Sequence, residues 1–223
     1  MDQVLWISIC YLVGISLLLV LNELNYRYWK FKGEYSRKIA HVLATLATLP
    51  FPFLFDSHWY VLALAFLFML VILVTRHIRQ LNSIHDVSRR SYGSFLLPIG
   101  IYLAFLIYTL SGNPILYIIP ISILAISDPM AAIVGMSIKK HNVPLSWPGR
   151  SSNKTLFGSL AFYISSTILC AVILIYFGID INHVLLVSPI IGFLGTLAEL
   201  FSWRGSDNLS IPLFVQLGLL LFL

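Results

Sequence analysis

Three acidic residues lie within or beside long apolar stretches of the chain, where an ionisable side chain is costly. Asp128 lies ten residues before Ile138, Glu199 lies near the end of a later apolar stretch, and Asp207 follows shortly after it. A charge near the middle of a membrane span costs at least about 2.5 to 3.5 kcal/mol, so each such residue indicates a functional site. No cluster of His or Cys accompanies them, and an all-oxygen ligand set suits Mg²⁺ better than zinc or copper. We therefore expect Asp128, Glu199 and Asp207 to form a Mg²⁺ site.

Each carboxylate also has a purely structural interpretation. Asp128 could hydrogen-bond to a neighbouring helix, and Glu199 could extend toward the membrane surface. Asp207 and Asn208 could together cap a helix. Because Pro129 follows Asp128 directly, we expect the helix to break at this point, so that freed carbonyl groups and the carboxylate line a polar cavity.

Basic and small polar residues in two other segments could bind an anion. Lys38 and His41 are three residues apart and therefore share one face of a helix. Arg37 and Lys38 could equally be a topology signal beside the span, whereas His41 lies one turn inside the membrane, where a His has no topological purpose. Lys154 and Thr155 precede an apolar stretch, so the ammonium group and the backbone amides of a helix N-terminus could bind an anion together. The Walker pattern is missing. The expected anion-binding residues are Arg37, Lys38, Lys154, Thr155, Gly158 and Ser159.

The composition shows which kind of element must hold these residues. In 223 residues, 59% of the side chains are apolar, 10% are charged, two are cysteines, and the mean hydropathy is +0.90. Soluble domains carry about 25% charged residues, disordered chains have low hydrophobicity, and disulfide-rich secreted domains have many more cysteines. The net charge of +5 does not indicate nucleic-acid binding, because that requires a soluble module with a basic face. The composition predicts a protein embedded among membrane lipids.

Eight apolar stretches are candidates for membrane-spanning helices, each of which needs about 20 residues. Strands that span a membrane require closed barrels with short alternating segments, and this sequence has none of those segments. The sequence therefore predicts an all-α polytopic integral membrane protein whose single domain covers residues 1–223. The predicted spans are residues 3–24, 38–55, 58–75, 94–111, 114–137, 155–178, 183–201 and 209–223.

The distribution of Lys and Arg predicts the orientation of these spans. All 14 basic residues lie in or beside alternate connections, and the intervening connections near Asp56, Gly112 and Gly178 contain none. Because basic loops face the cytoplasm, we expect the active site on the cytoplasmic side and both termini on the other side. The membrane would be a cytoplasmic (inner) membrane or an ER-type membrane.

Together, these residues indicate phosphate chemistry at the membrane surface. Carboxylates able to hold Mg²⁺ beside a Lys, Arg and His group suit a polyphosphate, because positioning and charge neutralisation supply most of its catalysis. One ligand is therefore expected to be a nucleotide, covered by the loop of residues 138–154. The second substrate would enter from the bilayer as a lipid alcohol or a lipid phosphate. A transporter with Asp128 as its ion site is a remote alternative.

Five blocks, spread over about residues 37–212, combine these residues with small residues and prolines. They are Arg37-Lys38-x-x-His41, Gly93-Ser94 with Leu97-Pro98-Ile99-Gly100, Ser127-Asp128-Pro129-x-Ala131-Ala132-x-x-Gly135, Lys154-Thr155-x-x-Gly158-Ser159, and Glu199 followed by Asp207-Asn208-x-x-Ile211-Pro212. In this order they resemble the membrane kinases that use CTP to phosphorylate lipid alcohols: dolichol kinase, phytol kinase and the CTP-dependent diacylglycerol kinase of yeast. That family is distantly similar to the phosphatidate cytidylyltransferases. The latter usually carry Glu where this chain has Phe157 and a longer Asp-rich motif near the C-terminus, which this chain lacks.

The resemblance implies a kinase that uses Mg²⁺ to transfer the γ-phosphoryl group of CTP to a lipid hydroxyl. It implies that Asp128 and Asp207, with Glu199, hold the metal, and that Lys154 helps to neutralise the transferred group. A carboxylate or His41 would accept the hydroxyl proton. The implied nucleotide-binding residues are Arg37, Lys38, Ser127, Lys154, Thr155, Gly158, Ser159 and Asn208.

The sequence leaves several alternatives open. The lipid could be a polyprenol, a phytol-type isoprenoid alcohol or diacylglycerol. The main alternative reaction is that of a phosphatidate cytidylyltransferase, which transfers a cytidylyl group to phosphatidate. The protein could be a monomer or a homodimer.

Overall fold

The computed structural model describes residues 2–28, 34–77, 92–138, 142–145 and 154–223. Most of the loop expected to cover the nucleotide lies outside these residues. The described part is helical, apart from an isolated antiparallel bridge between Pro144 and Thr155. The helices are α1 (Asp2–Tyr28), α2 (Glu34–Ala47), α3 (Phe51–Leu54), α4 (His58–His77), α5 (Gly93–Ser111), α6 (Ile115–Ser137), α7 (Leu156–Tyr176), α8 (Ile181–Phe201) and α9 (Asp207–Leu220).

Within the described residues, six helices are long and apolar enough to cross a membrane: α1, α4, α5, α6, α7 and α8. This finding confirms the prediction of an all-helical, polytopic membrane protein. The helices α2 and α9 have 14 residues each and are therefore about 21 Å long, shorter than the hydrocarbon core of about 30 Å. The count of eight spans stays a prediction.

The stretch 38–55, predicted as one span, consists of two helices joined by a turn. The first, α2, ends at Ala47, and α3 begins at Phe51. Pro50 and Pro52 explain the interruption, because proline has no backbone N–H and cannot donate an intrahelical hydrogen bond. The amide of Leu49 instead donates to the carbonyl of Leu46 at 3.1 Å, as in a tightened final turn.

The central helix of the bundle is α6, which packs against α2, α5, α7 and α9. Most of its residues are buried, whereas α1 lies at the outside of the bundle with most of its surface exposed. Small residues bring α6 and α7 close together: a Cβ on Gly135 would lie 2.8 Å from Thr155 Oγ1, and one on Gly158 would lie 2.8 Å from the carbonyl oxygen of Ala131. Such close contact is typical of helices that pack inside a membrane.

The predicted break in the helix at Asp128 is not observed. Helix α6 runs without interruption through both Pro120 and Pro129. Each proline removes one hydrogen bond to the carbonyl four residues earlier, and at Pro120 the structure shows the compensation. The fully buried Gln216 of α9 donates to the freed carbonyl of Leu116 at 2.7 Å. Neighbouring helices can thus satisfy a proline-containing span, and Asp128 lies on a continuous helix.

Candidate active site

The ends of five helices enclose a polar pocket at one end of the bundle. The pocket has a volume of about 150 Å³ and lies among α2, α6, α7, α8 and α9. Of its charged lining residues, three are basic and three are acidic, so their formal charges cancel. These residues are Lys38, Lys154, Arg204, Asp128, Glu199 and Asp207. All except Arg204 were singled out from the sequence.

Lys38 of α2 and Asp128 of α6 form an ion pair within the pocket. Lys38 Nζ donates to Asp128 Oδ2, and the two side chains are 11% and 5% exposed. Neither charge would be stable at this depth without the other, because an unpaired buried charge loses its hydration without compensation. The pair therefore fixes the position of a carboxylate and an ammonium group 90 residues apart in the chain.

His41 lies beside this ion pair on the same face of α2. Its Nε2 is 3.9 Å from Asp128 Oδ2 and 3.1 Å from the carbonyl oxygen of Leu124. Because a carbonyl oxygen only accepts hydrogen bonds, Nε2 must carry the hydrogen. In the neutral ring, Nδ1 is then the nitrogen that can accept a proton.

Lys154, just before α7, pairs with the carboxylates of the other two helices. Its Nζ donates to Glu199 Oε1 and lies 3.9 Å from Asp207 Oδ2. Ser159 is 3.5 Å from the second oxygen of Glu199. Burial alone would lower the pKa of Lys154, but the negative charges of Glu199, Asp207 and Asp128 outweigh it and raise this pKa above its usual value. Lys154 is therefore a stable cation in the pocket.

The three carboxylates predicted to bind Mg²⁺ line the same pocket, but lysines lie between them. Among the described residues, no group of three or more His, Cys, Asp or Glu side chains is arranged to hold a metal ion. Asp128 and Glu199 are each bound by a lysine, and Asp207 is the carboxylate with the loosest lysine contact. Mg²⁺ commonly takes one or two carboxylates together with substrate phosphates and water. The oxygen donors present fit that mode better than a cage built from three carboxylates.

The first backbone amides of α7, expected to bind an anion, already have partners within the protein. The amide of Leu156 donates to the carbonyl of Val143 at 3.0 Å, and that of Phe157 donates to Asn142 Oδ1 at 3.2 Å. The amide of Gly158 donates to the N-capping Thr155 Oγ1 at 3.2 Å. An anion in this pocket would therefore be bound by Lys154, together with the dipole of α7.

Three predicted nucleotide-binding residues are not among the lining residues of the pocket. Asn208 is buried and its side-chain amide donates to the carbonyl of Gly93 at 2.7 Å, which ties the start of α9 to the start of α5. Ser127 is fully buried beside Asp128, and its hydroxyl makes no hydrogen bond within the described part of the chain. Arg37 is half-buried on α2. Asn208 therefore ties two helices together, and its contact with the nucleotide stays a prediction.

Sequence reasoning missed two features in and beside the pocket. The loop between α8 and α9 supplies Trp203 and Arg204, whose guanidinium lies 4.3 Å from the centre of the Trp203 indole ring. Arg204 has a φ of 50°, a left-handed conformation that is uncommon for residues other than glycine. Asn142 links the end of α6 to the start of α7, since its side-chain amide donates to the carbonyls of Gly135 and Ile138. The signal for Asn142 was its residue type, which is common at helix ends.

Sequence comparisons relate the chain to known proteins. A family model described as the cytidylyltransferase family matches residues 3–203. The phytol kinase of Synechocystis sp. is 31% identical over 183 residues, which cover 81% of this chain and 76% of that protein. An uncharacterised protein of Rickettsia prowazekii is 33% identical over 102 residues, or 45% of each chain. No solved structure matches.

Proposed function

This chain belongs to the cytidylyltransferase family, and we propose that it is a membrane kinase that transfers the γ-phosphoryl group of CTP to the hydroxyl of a lipid alcohol. The observation that carries the proposal is the pair of lysine–carboxylate contacts around one pocket, Lys38 with Asp128 and Lys154 with Glu199. Each ammonium group is held in place by a carboxylate, so both cations are positioned before the nucleotide binds. The similarity to a phytol kinase favours a lipid alcohol as the acceptor.

In the proposed complex, the triphosphate of CTP lies between the two lysines. Lys154 binds the phosphate oxygens that gain negative charge during transfer, and Lys38 holds Asp128 in position on the opposite wall. Because catalysis of phosphoryl transfer depends mainly on positioning and charge neutralisation, two fixed cations account for much of the required chemistry. Thr155, Gly158 and Ser159 form the part of the wall nearest Lys154.

The reaction joins the lipid hydroxyl oxygen to the γ-phosphorus and breaks the bond between that phosphorus and the oxygen shared with the β-phosphate. The products are a lipid monophosphate and CDP. The hydroxyl proton passes to a base in the pocket, for which Asp128 and His41 Nδ1 are the candidates. We favour Asp128, because it is a lining residue of the pocket whereas His41 lies behind it.

The oxygen donors of the pocket fit Mg²⁺ bound jointly by protein and nucleotide. Asp207, helped by Asp128 or Glu199, would hold the ion, and the ion would neutralise phosphate charge and align the β- and γ-phosphates. This proposal needs no third fixed carboxylate in the resting protein. It also explains why Asp207 keeps a looser contact with Lys154 than Glu199 does.

We further propose that eight segments cross or enter the membrane. Two of them are short: one consists of α2 and α3 together, and the other is α9. The helix order then brings all four basic connections to the end of the bundle that carries the pocket, and the connections without Lys or Arg to the other end. By the positive-inside rule, the pocket faces the cytoplasm and both termini face away from it. The lipid alcohol enters from the bilayer and the nucleotide from the cytoplasm.

The second candidate function is cytidylyl transfer to phosphatidate, which the description of the matching family favours. The two reactions differ in which phosphorus reaches the lipid. Purified protein in lipid vesicles is given CTP labelled at the α or the γ position, Mg²⁺, and one of phytol, a polyprenol, diacylglycerol or phosphatidate. A kinase transfers only the γ label to the lipid, and the alcohol that becomes labelled is its substrate. Transfer of only the α label to phosphatidate would contradict the kinase proposal. The Asp128→Asn variant serves as the matched control and incorporates neither label.

A further inference from the structure

Two apolar cavities beside α1 are not used by the mechanism above. The inner cavity, of about 40 Å³, lies among α1, α2, α3, α4 and α5 and is bordered by Ala44 of α2 and by Thr48, which follows the end of α2. The outer groove, of about 670 Å³, follows α1 from Trp6 to Leu18. Ile15 borders both spaces, so the two approach each other at this side chain.

Helix α2 connects these cavities to the polar pocket. Lys38, which lines the pocket, is followed along α2 by His41 and Ala44 at intervals of three residues, and Thr48 lies in the turn just after this helix. Ala44 and Thr48 line the inner cavity, and His41 lies between Lys38 and Ala44 along α2. Ala44 comes six residues after Lys38, so the apolar space begins about 9 Å along α2 from the residue that contacts Asp128.

The chemistry of the cavities suits a hydrocarbon chain. Apart from Thr48, the lining of the inner cavity is apolar, and the hydroxyl of Thr48 already donates to the carbonyl of Thr45 at 2.8 Å. The outer groove is bordered by apolar side chains together with Cys10 and Tyr11. Neither space therefore offers a fixed charge to a ligand.

The length of the path also matches a lipid chain. From Trp6 to Leu18 the groove follows twelve residues of α1, or about 18 Å. The hydrocarbon core of a bilayer is about 30 Å thick, so one leaflet contributes about 15 Å, slightly less than the length of the groove. Gly14 leaves the middle of the groove open, since a Cβ at this position would meet no atom within 4 Å.

We propose that the path from His41 through the inner cavity to the outer groove binds the hydrocarbon chain of the lipid alcohol, an inference that rests on the proposed kinase function. The hydroxyl then lies beside Asp128 and the γ-phosphoryl group, and the chain extends along α1 toward Trp6. Ile15 moves aside to let the chain pass. Because lipid tails surround the protein in any case, the groove selects chains by shape rather than by hydrophobicity.

A bulky side chain at Gly14 tests this proposal. Wild-type protein, Gly14→Phe and the control Val13→Phe are assayed in vesicles with geraniol, farnesol and phytol, which contain two, three and four isoprene units. Val13 is exposed and does not border the groove. Because a ring placed in the groove forces long chains out of position, Gly14→Phe lowers the ratio of kcat/KM for phytol to that for geraniol by about tenfold or more. Val13→Phe keeps the wild-type ratio.

The outcomes separate the two proposals. If wild-type protein phosphorylates none of these alcohols, and neither a polyprenol nor diacylglycerol assayed beside them, the kinase function fails. If it phosphorylates them but Gly14→Phe keeps the wild-type ratio, the groove assignment is overturned and the kinase stands. If Gly14→Phe does not fold, a phytol analogue with a diazirine at its far end is crosslinked to wild-type protein instead. Labelling of residues 6–18 is expected, and labelling confined to other segments overturns the assignment.

Discussion

The ion pair between Lys38 and Asp128 allows a quantitative prediction. Replacing Lys38 by Met removes the ammonium group and leaves Asp128, whose side chain is 5% exposed, without its closest cation. Loss of one partner of a buried pair typically costs about 3 to 5 kcal/mol. For a chain of 150 to 250 residues, each kcal/mol lowers Tm by about 2 to 4 °C. We therefore expect Lys38→Met to lower the Tm by about 6 to 20 °C and to abolish turnover.

The double variant Lys38→Met with Asp128→Asn separates stability from activity. It restores most of the lost stability, because Asn keeps the shape of Asp but leaves no charge to bury. It does not restore turnover, because both the cation and the carboxylate are gone. Leu43→Met, at an exposed position of the same helix, is the matched control and leaves stability and activity unchanged.

Two measurements on purified protein in detergent compare the wild type with the single and double variants. Thermal unfolding followed by intrinsic fluorescence gives the Tm of each variant, and transfer of the γ label from CTP to phytol gives its activity. A Lys38→Met variant as stable as the wild type would refute the buried ion pair. A stable double variant with normal turnover would refute the assignment of Asp128 to the active site.

Four further predictions address the other parts of the site. Lys154→Ala lowers kcat by about a thousandfold or more, the scale typical of cations that stabilise phosphoryl transfer, and the purified variant stays monodisperse on size exclusion. Asn208→Ala leaves the carbonyl of Gly93 without its buried donor, which costs about 1 to 3 kcal/mol in a denaturation curve, while the KM for CTP is unchanged. Gly158→Ala places a Cβ 2.8 Å from the carbonyl oxygen of Ala131 and costs about 1 to 3 kcal/mol through overpacking, measured as a lower Tm. Chelation of Mg²⁺ stops transfer without lowering the Tm of the nucleotide-free protein, and added Mg²⁺ restores the rate.

Each of these predictions has an outcome that contradicts it. Normal turnover of Lys154→Ala would remove this residue from the mechanism. A large rise in the KM for CTP in Asn208→Ala would mean that Asn208 contacts the nucleotide, as the sequence alone indicated. An unchanged Tm of Gly158→Ala would show that α6 and α7 are less tightly packed than the distances require, and turnover in excess chelator would exclude Mg²⁺ as the cofactor.

The sequence was most informative about the site where charged residues lie within or beside apolar stretches. Asp128 and Glu199 could be selected in advance because a membrane span rarely contains ionisable residues without a purpose. Lys38, Lys154 and Asp207 could be selected because charged groups beside the ends of spans suit an anion or a metal ion. The structure places all five around one pocket. Their partners could not be predicted, because nothing in the local sequence indicates that Lys38 pairs with a residue 90 positions away.

The sequence-based predictions failed where a residue distant in the sequence supplied the hydrogen-bond partner that the local sequence lacks. Pro120 and Pro129 predicted a broken helix, but Gln216 from another helix donates to a freed carbonyl and α6 continues. The backbone amides at the start of α7 were expected to be free to bind an anion, but two of them donate hydrogen bonds to Asn142 Oδ1 and to the carbonyl of Val143. Such compensation depends on the tertiary packing and leaves no periodic signal in the sequence.

The central claim is that this pocket splits CTP between its β- and γ-phosphates and gives the γ-phosphoryl group to a lipid alcohol. Phosphorus NMR of the reaction of purified protein with CTP, Mg²⁺ and phytol in vesicles follows all phosphorus-containing products at once. The account predicts CDP and phytyl monophosphate in equal amounts, with no pyrophosphate. The contrary result is that no alcohol yields a phosphorylated product, while phosphatidate in place of phytol yields pyrophosphate and a cytidine diphosphate-linked lipid. That result would contradict the kinase proposal.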